Sequence, residues 1–172
     1  MASAPPLVVD FLPTEALGLR GRLGLCMAPG RRDGVHSQRE LLKDLRRLRH
    51  ELQTDLLVTL LSGAELSHLG VPDLFARAAE QGLVTLWFPM GDQSGLPSRA
   101  RVLALVDQLL GVLLGGSTVV LHCREGRGRS GLIAAACLVS QGQRWERALS
   151  VVRQARPGAV ETPAQEAFLR GL

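Results

Sequence analysis

A histidine, a cysteine, an arginine and a serine share one short glycine-bearing stretch, Leu121-His-Cys-Arg-Glu-Gly-Arg-Gly-Arg-Ser-Gly131. The β-branched run Ser117-Thr-Val-Val-Leu121 leads into it, and the small apolar run Leu132-Ile-Ala-Ala-Ala-Cys-Leu-Val139 follows. That order predicts a strand, a tight turn and a buried helix. Backbone N–H groups of such a turn converge on its centre. Those at the start of the helix point the same way, so the stretch reads as an anion site of phosphate size built from residues 124–129. Cys123 stands at its mouth, where the N–H groups stabilise a thiolate and make it a nucleophile. Arg129 supplies a planar fork for two phosphoryl oxygens. Ser130 can donate its hydroxyl to the sulfur when the thiolate leaves. Gly126 and Gly128 permit left-handed backbone and keep side chains out of the bowl, while His122 orients the strand end through its ring N–H groups.

A group leaving phosphorus as an alkoxide needs a proton, and a carboxylic acid on a closing loop can supply it. Pro89-Met-Gly-Asp-Gln-Ser-Gly-Leu-Pro97 is rich in turn residues, and Asp92 within it is the expected acid. Glu125 is its rival. Inside the cradle, however, that carboxylate would repel a phosphate dianion unless it pointed outward.

The elements that must position these groups follow from periodicity and caps. Residues 7–12 and 19–27 read as a strand pair turning near Pro13, with Cys26 a small core residue. Residues 29–34 form a loop whose Arg31 and Arg32 read as solvated surface in preference to a substrate-facing rim. Ser37-Gln-Arg-Glu40 is a capping box opening a helix over about 38–53, with Leu41, Leu45, Leu48 and Leu52 on one face. A strand over 54–61, a short helix capped by Ser62-Gly-Ala-Glu65, a helix over 73–81 and a strand over 83–88 come next. Ser98 caps a helix over 99–114 with Val102, Val106, Leu109 and Leu113 inward. The helix over 130–141 is apolar nearly all round and therefore buried. Cys137 lies about 12 Å up its axis, too far from Cys123 to resolve an oxidised thiol. Helices over 145–154 and from Thr162 onward complete the chain. Thr162-Pro-Ala-Gln165 is itself a capping box.

His-Cys-x5-Arg-Ser, here His122, Cys123, Arg129 and Ser130, resembles the signature of the cysteine-based protein-tyrosine and dual-specificity phosphatases. Four further stretches resemble the kinase-associated branch of that superfamily, the cyclin-dependent kinase inhibitor 3 type: Leu23-Gly-Leu-Cys-Met-Ala-Pro-Gly30, Ser62-Gly-Ala-Glu-Leu-Ser67, Val71-Pro-Asp-Leu74 and the Asp92 loop. The resemblance spans residues 20–172. It implies an α/β, three-layer fold, a twisted central sheet of about five strands with helices on both faces. It also implies hydrolysis of phosphotyrosine, and of phosphoserine or phosphothreonine esters, through a cysteinyl-phosphate without metal. The interval between Asp92 and Cys123 is like that between acid and nucleophile in dual-specificity phosphatases. Gln165 resembles a glutamine that some members place beside the phosphate loop.

The sequence also departs from that branch. It has Asp92-Gln-Ser-Gly95 where the branch has Asp-Gly-Gly, and Glu125 and Arg127 where apolar or small residues are commoner. Arg124 and Arg127 together resemble the basic pair of phosphoinositide 3-phosphatases. The animal branch acts on a kinase, and fold and chemistry transfer more readily than that partner.

Length and composition set the bounds. With 172 residues the chain suffices for one domain, read as 7–172 behind a disordered tail at 1–6. No apolar run approaches a membrane span and no signal peptide is evident, so a cytoplasmic protein is expected. Three cysteines without paired spacing argue against a disulfide framework, and four scattered histidines against zinc. No metal and no cofactor are expected. The net charge of +4 comes with nineteen arginines and a single lysine, Lys43, a bias of GC-rich, bacterial coding. With two Trp, four Phe and no Tyr there is little to stack on bases, which argues against nucleic acid. The leading reading is a phosphatase of phosphorylated protein. Its rivals are a phosphatase of phosphoinositides or other polyphosphorylated small molecules, and a phosphate-binding pseudophosphatase without turnover. Oligomeric state is not legible in the sequence.

Overall fold

A computed structural model describes residues 5–32, 35–91 and 95–172. Its centre is a five-stranded sheet in the order β1 (Asp10–Phe11), β2 (Arg22–Cys26), β7 (Thr118–His122), β5 (Leu56–Thr59), β6 (Val84–Trp87). Only β1 is antiparallel to its neighbour; the other pairs run parallel. All five residues of β7 are buried, as are all four of β5. Strands covered on both faces read as continuous apolar runs, and these two do.

Alternation of side chains across the sheet sorts them into two cores. On one face Val119, Leu121 and Val58 join the helices α5 (Arg99–Leu114), α6 (Gly128–Ser140), α7 (Trp145–Ala155) and α8 (Pro163–Arg170). On the other, Val120, Leu57 and Cys26 meet α2 (Gln38–Arg46), α3 (Gly63–His68) and α4 (Leu74–Glu80). The three-layer α/β architecture is therefore as the family resemblance implied, and Val102, Val106, Leu109 and Leu113 of α5 are buried as their spacing predicted. Full burial of each such side chain contributes about 1.5–3 kcal/mol. Residues 128–138 of α6 are buried without a break. This helix sits among its neighbours on every side.

The departures from sequence are local. The expected strand over 7–12 shrinks to Asp10–Phe11, and the turn near Pro13 is a short helix, α1 (Thr14–Leu17), closed by Gly18 in a left-handed conformation. A two-strand ribbon, β3 (Arg31–Arg32) with β4 (Val35–His36), stands in the loop expected at 29–34. The helix over 38–53 holds only to Arg46 and then widens into a π-helical turn, Arg47–Glu51. At its start the Ser37 hydroxyl accepts from the Glu40 N–H at 3.1 Å, but the Ser37 N–H goes to the Gly30 carbonyl, so only half of the predicted capping box forms. Among the described residues no helix is long and apolar enough to cross a membrane.

Parallel sheets place their sites beyond the carboxyl ends of the strands, where loops lead into helices. Here β7 lies in the middle of the sheet, and the stretch 123–127 joins its carboxyl end to the first turn of α6.

Candidate active site

The loop after β7 is held open from outside. The Arg124 carbonyl accepts from the Ala28 N–H at 3.1 Å and from Arg31 Nη1 at 3.3 Å. The Glu125 carbonyl accepts from Arg156 Nη2 at 2.7 Å. The Arg127 carbonyl accepts from the N–H groups of Gly131 at 2.8 Å and Val160 at 3.2 Å. A trans peptide sets its N–H opposite to its C=O, so carbonyls tied outward at 124, 125 and 127 turn the N–H groups of Glu125, Gly126 and Gly128 inward. One of them is already engaged: the Gly126 N–H donates to Cys123 Sγ at 3.2 Å. Gly126 has φ +72°, and a Cβ there would lie 2.2 Å from the Cys26 carbonyl oxygen, so both conformation and space require glycine.

Arg129, in the first turn of α6, is 2% exposed. Its Nη1 and Nη2 donate to the two carboxylate oxygens of Glu65 at 3.0 and 2.9 Å, and Nη1 also donates to the Met90 carbonyl at 3.0 Å. Glu65 meanwhile closes the capping box of α3, accepting from the Ser62 N–H at 2.8 Å. One carboxylate thus caps a helix and fixes the plane of a buried guanidinium. Burial alone would raise its pKa, but the bonds from Arg129 and Ser62 outweigh burial and hold it below the usual range.

His122 is fully buried between the strands. Its Nδ1 lies 3.4 Å from the Cys123 carbonyl and its Nε2 2.8 Å from the Thr59 hydroxyl. A carbonyl only accepts, so Nδ1 carries the proton and Thr59 donates to Nε2. Burial, assisted by the nearby Arg129 charge, pushes its pKa down to about 4, so the ring is neutral near pH 7.

Comparison with known proteins fits this geometry. The family model of cyclin-dependent kinase inhibitor 3 matches residues 2–144. The chain belongs to the cyclin-dependent kinase inhibitor 3 family. Cyclin-dependent kinase inhibitor 3 of Rattus norvegicus and that of Homo sapiens are each 30% identical over 167 residues, covering 95% of this chain and 77% of the relative. Protein tyrosine phosphatase type IVA 3 of Bos taurus is 30% identical over 93 residues, 51% of each chain. Among solved structures, a kinase associated phosphatase whose catalytic-site cysteine is replaced by serine superposes with a TM-score of 0.87 at 26% identity, covering 97% of this chain and 94% of that one. Tk-PTP in its active form gives 0.72 at 29% identity, with 95% of each chain covered. The chain is accordingly a cysteine-dependent phosphatase of the protein-tyrosine and dual-specificity superfamily.

Of the sequence-predicted residues, the structure of this family member brings His122, Cys123, Gly126, Gly128, Arg129, Ser130 and Gln165 to one place. The Ser130 hydroxyl is buried and has no hydrogen-bond partner among the described residues. Gln165 closes the capping box of α8 and lies beside Gly128. Its Oε1 accepts from the N–H groups of Glu161 at 2.8 Å and Thr162 at 3.3 Å, which turns Nε2 toward Gly128. Glu125 does point outward, paired with Arg31. Arg124 and Arg127 are exposed on the rim. Asp92 lies outside the described residues.

Three further residues were not assigned to the site from sequence. Glu65 was read only as a helix cap. Arg31, expected on solvated surface, instead reaches the loop: its partner carboxylate is ninety-four residues away and invisible to local pattern. Arg156, just beyond the helix expected over 145–154, bridges the Glu125 carbonyl to the Asp10 carboxylate at 2.6 Å. The other two thiols are disfavoured as thiolates: burial pushes Cys137 up to about 12 and Cys26 higher still.

Proposed function

We propose that this phosphatase hydrolyses phosphotyrosine, and phosphoserine or phosphothreonine, in protein substrates through a cysteinyl-phosphate, without metal. The observation that carries the reading is the outward tethering of three loop carbonyls, which aims N–H groups at the space over Cys123 Sγ. In that space the Cys123 thiolate attacks phosphorus, and the equatorial oxygens accept from the loop N–H groups and the Arg129 fork. The P–O bond to the leaving group breaks as Asp92 protonates its oxygen; Asp92 follows by two residues the Met90 carbonyl that Arg129 holds. Water, deprotonated by Asp92, then attacks phosphorus, and the thiolate departs with the Ser130 hydroxyl as donor. Arg129 in its Glu65 bracket needs no hinge motion to present its fork, which favours catalysis by a site already organised.

The decisive assay is phosphate release from a phosphotyrosine peptide with chelator present, comparing wild type with Cys123→Ser. Turnover that vanishes in the variant is expected. Equal turnover by both would remove Cys123 from the mechanism, and loss of turnover on adding chelator would remove the metal-free claim.

A phosphoinositide substrate is a second reading, favoured by the exposed Arg124 and Arg127, whose guanidinium groups have no ion-pair partner among the described residues. It predicts that replacing both with glutamine raises KM for a multiply phosphorylated inositol more than for a monophosphorylated peptide.

A further inference from the structure

Beside the catalytic loop lies a cavity of about 220 Å³ lined by Ala64, Glu65, His68 and Leu69 of the α3 region and by Arg124. Arg124 is the residue after the proposed nucleophile, so whatever fills the cavity sits next to the reacting phosphoryl group. We infer that this cavity receives the side chain of a glutamate flanking the phosphorylated residue of a peptide substrate. The inference rests on the protein-phosphatase reading above and supplies the sequence preference that reading leaves open.

Three features select that side chain. The volume suits one side chain and not a fused ring system or a second sugar, since small-molecule sites run to about 300–1,000 Å³. Its apolar lining is Leu69, 8% exposed, together with Ala64, which suits a methylene stem. Its unpaired donors are arranged for an anion at the outer end. Arg124 and His68 are both exposed, and neither side chain has a hydrogen-bond or ion-pair partner among the described residues. The one carboxylate in the lining, Glu65, is already bound by Arg129 and by the Ser62 N–H, so it acts as half of an ion pair and not as a lone anion. An arginine fork takes a carboxylate bidentately, and an imidazole N–H can donate to the same group.

General attraction between an arginine-rich rim and acidic peptides would give a weaker, less selective pattern, and the length of the side chain separates the two. A cavity with an apolar floor distinguishes glutamate from aspartate, because the shorter stem leaves the carboxylate short of Arg124 or the floor uncovered. Diffuse attraction does not distinguish them.

The experiment uses phosphotyrosine peptides in an otherwise neutral background, with Glu, Asp, Gln or Lys placed singly at the first and second positions on either side. The readout is the ratio of kcat/KM between peptides for one enzyme, which cancels differences in folded fraction between variants. For wild type, at one position, glutamate should exceed glutamine by about fivefold, the value of one partly exposed ion pair, and should exceed aspartate. Lysine should be the poorest. Arg124→Gln should bring the glutamate-to-glutamine ratio close to one, His68→Gln should lower it, and Ala64→Phe, which crowds the cavity while leaving Arg124 and His68 in place, should abolish the advantage over aspartate. Equal rates for glutamate and glutamine at all four positions, or a ratio kept in Arg124→Gln, would overturn the subsite alone. Failure of every peptide to release phosphate, with release from an inositol phosphate, would overturn the underlying reading and this one with it.

Discussion

Glu65→Ala tests the central structural claim, that one carboxylate holds the buried guanidinium in place. The substitution removes the acceptors of two Arg129 bonds at 2.9 and 3.0 Å from a side chain that is 2% exposed. Breaking a buried ion pair from one side costs about 3–5 kcal/mol. Glu65 itself is 25% exposed, so water entering behind it recovers part of that loss. The lower end, about 3 kcal/mol, is the better figure. Losing the reciprocal half of the capping box at Ser62 adds about 0.5–1 kcal/mol. The expected loss is therefore about 3.5–4 kcal/mol of a total that for such domains is about 5–15. Urea denaturation followed by fluorescence, with Trp87 reporting because its Nε1 donates to the Leu61 carbonyl just before α3, reads it directly. Glu65→Gln keeps a neutral acceptor and should lose about half as much. Because the folded carboxyl is held below its ordinary value, its stabilisation is present above the unfolded value and lost as pH falls through the lower folded one. The gap between wild type and Glu65→Gln should accordingly close in acid. Phosphate release should fall about a hundredfold as the guanidinium loses its bracket. An alanine variant within about 0.5 kcal/mol of wild type, at unchanged denaturant slope, would refute the reasoning.

Two further outcomes follow from other parts of the site. His122 is held neutral down to about 4, whereas in the unfolded chain it takes up a proton near its ordinary value of 6.5, so stability present above that value is lost as pH falls toward 4. The difference corresponds to about 3 kcal/mol; urea midpoints at pH 7 and 4.5 for wild type and His122→Asn should differ in slope with pH, and parallel profiles would contradict the burial argument. Gly126→Ala forces a Cβ to within 2.2 Å of the Cys26 carbonyl oxygen and 2.8 Å of the Met27 nitrogen, both backbone atoms, at φ +72°. It should lose at least about 2 kcal/mol and most phosphate release while keeping its far-ultraviolet circular dichroism; wild-type activity and midpoint would show that the loop has room the structure denies it.

The sequence by itself determined the nucleophile loop, because everything that makes it a loop is local. A β-branched run, two glycines and a small-residue helix fold in the order written, and Cys123, Arg129 and Ser130 fall within one strand–turn–helix. Helix faces were equally legible: α5 came out over the predicted residues since its period and its Ser98 cap are properties of adjacent positions. What only the tertiary structure decided are contacts between stretches that fold independently. Glu65 meets Arg129 across sixty-four positions because β5 pairs with β7 and delivers α3 to the loop. A local pattern cannot show this, because the capping box already accounts for that glutamate. Arg31 and Arg156 reach the loop from β3 and from the end of α7, and their sequence neighbourhoods, a turn and a helix break, look like solvated surface. The brevity of β1 is of the same kind: the Leu12 N–H still donates to the Leu23 carbonyl of β2 at 2.9 Å, and the chain then turns at Pro13 into α1. Periodicity records which face of an element is buried, and not which remote charge will neutralise a buried one; that is settled only when the sheet orders its strands.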